Sequence, residues 1–306
     1  MLSMKKQKSI LGIDIGNKLT KFAQVKFTGS SKPILEVCTI MPSGLLDEAF
    51  ETNLKTFIKE NKISNPLIAA SMDHPSIKIR KVELPKMPDA ELMEAIKWDL
   101  RDIVEGEIDD YTVNYSSIKG AGEDAEVLQF VAYAVKKAAV ADFQMKLQSI
   151  GVDPFFIEPM SVSLASSLDR CHSSEGIYIA GVDIGYKNTF FYVVGNKTFV
   201  FSRPLLGLNL ELQEKEQETF FQKLGFEIQK SIDTFKVGFK MQEINQLYLS
   251  GGGSLLPDIS QYLTQNLGLQ SEVFNPFSSF GNADTINKDF HPPLFAQAIG
   301  LAYIQS

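Results

Sequence analysis

Three short apolar runs open the chain: 9–15 (SILGIDI), 19–27 (LTKFAQVKF) and 33–40 (PILEVCTI), separated by polar links of which Gly29-Ser30-Ser31 is the clearest. Such spacing predicts a meander of antiparallel strands. The period then changes. In 46–61 (LDEAFETNLKTFIKEN), Ala49, Phe50, Leu54, Phe57 and Ile58 recur at helical spacing, and PLIAASM at 66–72 returns as a buried strand. A second block has a different order. IKIRKVELP reads as a strand ending at Pro85, and a helix over 89–104 carries Met93, Ile96, Leu100 and Ile103 on one stripe. YTVNYSSIKG and EVLQFVAYAVK read as strands about the turn GAGED, and AAVADFQMKLQSIG as a helix closed by Gly151. This β-α-β-β-α unit, about 74–149, predicts an inserted subdomain.

The first pattern then comes round again. DPFFIEP is strand-like and MSVSLASSLDR helical, and the span 177–205 predicts three strands with a turn at Gly195-Asn196. A long helix at 220–239, then a strand, a glycine turn and a helix in NQLYLSGGGSLLPDISQYLTQNLG, and a closing helix LFAQAIGLAYI complete the chain. GIDIGNKLTKFAQV and GVDIGYKNTFFYVV align without a gap, each placing G-x-D-I-G at the first turn of a meander. The repeat implies a duplicated α/β domain with a cleft between two related lobes.

Composition narrows the classes of function. The formal charge is 30 − 37 = −7, which opposes a nucleic-acid footprint. The two cysteines, Cys38 and Cys171, have no ligand spacing and fit a reducing compartment. His74, His172 and His291 are scattered and form no ligand constellation. The basic start MKKQK precedes too short an apolar segment for a leader peptide, and no run approaches the ~18 apolar residues of a membrane span. The expectation is a cytoplasmic chain that meets a membrane through partners.

A strand-Asp-x-Gly turn brings backbone N–H groups to an anion, because glycine permits close approach. Asp14 and Asp183 would act on phosphate through a divalent cation and its waters; Mg²⁺ suits one or two carboxylates plus phosphate oxygens. Lys21 would balance phosphate charge. Alternatively, each aspartate caps its own turn. The run LYLSGGGSLLPDI leaves room for a planar ligand against Gly251, Gly252 and Gly253, and opens a helix whose N-terminus favours anions. Glu158, in FIEP, could orient a water or simply favour a helix N-terminus. Trp98, off its helix's apolar stripe, is either an exposed contact or packed under neighbouring strands.

Two DIG turns, an inserted unit and SGGG together resemble the actin-like (ribonuclease H-like) ATPase superfamily. PSIKIRKVELPKMPDAELMEAIKWDLRD, GVDPFFIEPMSVSLA, EIQKSIDTF, LYLSGGGSLLPDISQYL and FAQAIGLAY are similar in order and spacing to the PilM family of type IV pilus assembly proteins. The resemblance implies an α/β, two-lobed fold: a first lobe at 1–73 and 150–175, the inserted FtsA/PilM-type subdomain at 74–149, a second lobe at 176–207 and 246–306, and a short subdomain at 208–245. It implies ATP and Mg²⁺ as ligands. Asp14, Gly16, Asn17 and Lys21 match the first phosphate loop, and Asp183 and Gly185 the second, where Lys187 is a further candidate to neutralise phosphate, with Asp14 and Asp183 on the metal through water. Gly251–Gly253 match the nucleoside side, and Glu158 the water-orienting position. It further implies that a groove beside the inserted subdomain receives the N-terminal tail of a PilN-like membrane protein, and that other pilus motor or platform proteins and twitching motility are involved. Departures are a short 208–249 stretch, where ELQEKEQETF alone could grip a base; Tyr186 and Lys187 in place of smaller residues; and IVEGEIDD where an Ile-Pro-Phe-like segment is usual. The leading expectation is a scaffold with at most slow ATP turnover. A nucleotide-free pseudo-ATPase, an FtsA-like filament protein and a small-molecule kinase are the alternatives.

Overall fold

The computed structural model describes residues 10–27, 32–42, 48–61, 63, 66–118, 126–172, 174–208, 210 and 217–304. Two five-stranded sheets share one topology. The first contains β1 (Ile10–Ile15), β2 (Leu19–Lys26), β3 (Ile34–Pro42), β4 (Leu67–Met72) and β8 (Phe156–Pro159), in the order β3-β2-β1-β4-β8. The second contains β9 (Tyr178–Ile184), β10 (Thr189–Gly195), β11 (Thr198–Pro204), β12 (Ile244–Ser250) and β13 (Ser271–Val273), in the order β11-β10-β9-β12-β13. In each, the meander is antiparallel and the two remaining strands run parallel to its first strand or to each other. The duplication read in the DIG motif is therefore a duplication of sheets.

Between β4 and β8 stands a three-stranded sheet in the order β5-β7-β6, from β5 (Lys78–Pro85), β6 (Tyr111–Ser117) and β7 (Val127–Lys136). Helix α2 (Asp89–Leu100) covers it with Leu92, Ile96 and Leu100 on Val82, Phe130 and Ala132. The helix stops at Leu100, short of the expected 104, and Arg101 takes its C-cap position. Trp98 is exposed, with the Arg101 guanidinium 4.6 Å from its ring centre. α3 (Lys137–Gln148) follows β7 in the expected order, but its Phe143 and Leu147 enter the first-lobe core with Leu11, Ile13, Phe50 and Leu54 of β1 and α1 (Glu48–Glu60). By packing, then, the inserted unit ends where α3 begins. Gly151 takes φ +78°, the left-handed conformation expected where this helical segment closes.

The helices do not stay with their own half. α4 (Met160–His172) joins the first lobe to the second, and its Leu164, Ala165 and Leu168 are buried in the second lobe's core with Val182, Phe191 and Val193. α5 (Gln217–Gly238) covers that sheet with Leu224, Ile228 and Phe235. α7 (Ala296–Ala302), from the end of the repeat, packs on the first sheet: Ala298, Ile299 and Ala302 lie among Ala23, Val25 and Leu35. A Cβ on Gly12 would lie 2.1 Å from the Ala298 carbonyl oxygen, so the first glycine of G-x-D-I-G is there to let α7 approach β1.

α6 (Ile259–Leu267) begins eight residues after Gly251. The expected direct step from glycine turn to helix is replaced by a 3-10 turn at Gly252–Leu255 and by Asp258 at φ +63°. The strand β13 and the short 3-10 turns between 276 and 295 gave no periodic signal, because elements of three or four residues are too short to show one. No described helix is long and apolar enough to cross a membrane.

Candidate functional site

The cleft between the lobes is floored by the two turns that the sequence singled out. The β1–β2 hairpin register sets Asp14 opposite Lys21, and the ammonium lies 2.7 Å from Asp14 Oδ2 with both side chains largely buried. Gly16 N–H donates to the Leu19 carbonyl at 3.1 Å; a Cβ here would meet that oxygen at 2.8 Å and the Lys21 ammonium at 2.9 Å. The second turn repeats the device: Gly185 N–H donates to the Asn188 carbonyl at 2.9 Å, and a Cβ on Gly185 would meet that oxygen at 2.7 Å. Glycine is required in both by close approach of the chain to itself.

The copies differ in charge. Phe190 pairs with Asp183 where Lys21 pairs with Asp14. Asp183 instead accepts from Ser250 Oγ at 2.8 Å. Burial, reinforced by the Asp14 carboxylate, pushes Asp183 up to about 6, against the pull of the Ser250 hydrogen bond and Lys21. Two carboxylates thus face one cavity of about 390 Å³, one neutralised by a lysine and the other only partly compensated.

Asp14, Gly16, Asn17, Lys21, Asp183, Gly185, Lys187, Gly251 and Gly252 all line this cavity. Gly253 sits just behind it, where a Cβ would lie 2.2 Å from Ile184 Cγ2. Gly251 adopts φ +76° and donates its N–H to the Pro293 carbonyl at 3.1 Å. Glu158 is not on the wall. It pairs in register with Ser71 on the parallel strand β4, one residue before Pro159 and two before α4. Burial pushes its carboxyl up to about 7, and the raised Tyr133 phenol of the inserted subdomain feels its charge. The segment holding the base-gripping candidate ELQEKEQETF lies outside the described residues from 211 to 216.

Several wall residues carried no signal in the sequence reading. Asp73, at the end of β4, is a third carboxylate; it accepts from Asn188 Nδ2 at 2.7 Å, a contact between the lobes, and burial raises its pKa. Lys18 reaches across from the first turn, its ammonium 4.0 Å from the centre of the Tyr186 ring on the second. Gln297 of α7 donates to Ser71 Oγ. A helix residue that reaches a strand serine from the other half of the chain cannot be found by periodicity.

For a divalent cation the fit is indirect. Asp14 Oδ2 is held by Lys21 and Asp183 Oδ1 by Ser250, and no group of three His, Cys, Asp or Glu side chains is assembled among the described residues. Asp14 and Asp183 suit Mg²⁺ held through water together with phosphate oxygens.

A second cavity of about 670 Å³ opens between the inserted sheet and both lobes. Ile77, Ile79, Ile103, Met160, Phe190 and Leu206 give it apolar walls, and Asp73, Lys187 and Asn188 belong to both cavities.

Residues 208–305 match the family model described as type IV pilus assembly protein PilM. A solved structure described as the PilM-PilN type IV pilus biogenesis complex matches this chain at TM-score 0.76 and 22% identity, covering 96% of this chain and 97% of that one. At that identity the likeness establishes the fold: actin-like, two-lobed, α/β. The ethanolamine utilization protein EutJ from Carboxydothermus hydrogenoformans matches at TM-score 0.47 and 12% identity over 97% of this chain and 89% of its own. The activator of 2-hydroxyisocaproyl-CoA dehydratase from Clostridium difficile, with bound ADPNP, matches at 0.47 and 9% over 96% and 92%. No curated protein matches the chain.

Proposed function

We propose that this chain is an actin-like scaffold of type IV pilus assembly that receives the N-terminal tail of a PilN-like membrane protein. The observation that carries the reading is the apolar groove beside the inserted sheet, in a fold matched end to end by the partner of PilN in a solved complex. Its walls come from three bodies, the inserted sheet and both lobes, so an occupant would tie them together. An extended peptide suits a groove lined by apolar side chains together with charged groups such as Asp73 and Lys78. The scaffold would sit on the cytoplasmic side, held at the inner membrane by its partner.

The interlobe cleft serves, in this reading, as a structural ligand site for a nucleotide with Mg²⁺, whose binding stabilises the closed chain by mass action. Asp14, Lys21 and the turn glycines would hold the phosphates. Fast turnover is not part of the reading, because Glu158, the water-orienting candidate, lies off the cleft wall.

The test is fluorescence anisotropy with a labelled N-terminal peptide of a PilN-like protein. Leu206 is 83% exposed on the groove rim, so Leu206→Glu should leave stability within about 0.5 kcal/mol. The expected result is micromolar-range binding by the unchanged chain and at least ten-fold weaker binding by the variant. No binding by the unchanged chain, or equal binding by both, overturns the assignment.

A further inference from the structure

The glycine turn and the charged groups of the interlobe cleft are prepared for different chemistry. Leu210 lies over the glycine turn: its Cδ2 would be 3.0 Å from a Cβ on Gly253, and its Cδ1 3.4 Å from one on Gly252. Leu210 lines the cleft, and its N–H is anchored on the Tyr186 carbonyl at 3.1 Å. The turn's own polar groups are already used. Gly251 N–H goes to Pro293, Ser254 Oγ donates to the Gly251 carbonyl at 2.7 Å, and Leu256 N–H donates to the Gly253 carbonyl at 3.2 Å. A purine laid on these glycines would meet an isobutyl side chain and a backbone with those donors and acceptors already engaged.

The two aspartate turns and Asp73 bring charge to the same cleft. Asp14, Asp73 and Asp183 are engaged by Lys21, Asn188 and Ser250 respectively. Lys18 and Lys187, both exposed at the rim, have no carboxylate within ion-pair distance among the described residues, and the Lys18 ammonium rests on the Tyr186 ring. An ammonium on a ring at an exposed site is held only weakly, so a phosphate oxygen can draw it away. Two exposed cations, one on each glycine turn, suit a linear anion with several charged oxygens.

We propose that the cleft recognises a phosphate chain and not a nucleoside: its ligand class is linear di- and triphosphates, inorganic or at the end of any nucleotide, without selection of the base. This rests on the cleft being a ligand site, as read above, and sharpens what it reads. The experiment is isothermal titration of the full chain with tripolyphosphate, ATP, GTP, adenosine and sulfate at matched ionic strength, with Mg²⁺ and with EDTA. Tripolyphosphate, ATP and GTP should bind within about three-fold of one another, adenosine and sulfate not at all. The double variant Lys18→Ala/Lys187→Ala, folded as judged by its melt, should lose ten-fold or more for all three. Leu210→Ala should give ATP an advantage over tripolyphosphate that the unchanged chain lacks. ATP binding ten-fold tighter than both GTP and tripolyphosphate, or binding of adenosine alone, overturns the proposal and leaves the ligand site standing. Sulfate binding as tight as tripolyphosphate, or affinity unaffected by the double lysine change, overturns it as simple ion attraction. Silence from ATP and tripolyphosphate alike removes the ligand site itself, whatever the peptide does in its groove.

Discussion

Gly300→Ala should destabilise the fold by more than about 4 kcal/mol, although alanine is the better helix former by about 1 kcal/mol. Gly300 lies inside α7, and a Cβ there would stand 1.7 Å from the Ser163 carbonyl oxygen and 2.6 Å from its carbon. Both atoms are α4 backbone, so no side chain can swing aside; one helix must move. α7 is buried along its whole length, against β1 and β2 on one side and α4 on the other. Overpacking normally costs about 1–3 kcal/mol, and a clash between two helix backbones in a core belongs above 4 kcal/mol, a large share of the 5–15 kcal/mol that holds most domains together. Gly238→Ala is the control. Gly238 ends α5, has no atom within 4 Å of its would-be Cβ and does not take positive φ, so alanine should be neutral or stabilising by up to about 1 kcal/mol. Urea melts read both. A Gly300→Ala protein within 1 kcal/mol of the parent would mean that α4 and α7 do not touch as described.

The second large effect is a dependence of stability on pH that should weaken with Glu158→Gln. Glu158 ordinarily titrates near 4.5, and burial pushes it up to about 7 in the fold. A carboxyl that is harder to ionise when folded adds stability while protonated. The contribution is therefore complete below pH 4.5, declines as pH rises through about 7, and is absent above it. Asp183, pushed up to about 6 from 3.8, adds a component of the same sign at lower pH. The melting temperature should fall between pH 5 and 8. Glu158→Gln should flatten the upper part of that slope and stabilise the protein at pH 8 by about 2 kcal/mol, less than the full shift because the carboxylate keeps some solvent. A slope unchanged in the variant would show that Glu158 ionises freely.

What was legible in the sequence was what local pattern encodes. Alternation gave the meanders, and the repeated G-x-D-I-G gave two equivalent turns, whose glycines do allow the chain to close on itself at Gly16 and Gly185. Spacing could not supply contacts that cross from one half to the other. Gly12 answers to α7, Lys18 to Tyr186, and Asp73 to Asn188, each pair 115 residues or more apart. The glycine run at 251–253 was visible as a place without side chains. That Leu210 lies over it depends on the path of a polar segment with no period to read. α3 follows the inserted strands in sequence and serves another core, because helix assignment says nothing of which sheet a stripe will find.

The exchange of α4 and α7 between the lobes also bears on synthesis. During translation the first sheet can pair its strands early, since β1 to β4 are all made within the first 72 residues. Its inner face stays uncovered until residues 296–302 leave the ribosome. At the ~5–20 residues per second of synthesis, that is an interval of roughly 11–45 s in which Ala23, Val25 and Leu35 face water without their helix. Holdase chaperones should therefore meet nascent chains of this protein through its first lobe, and ribosome-stalled chains lacking α7 should be the ones they retain.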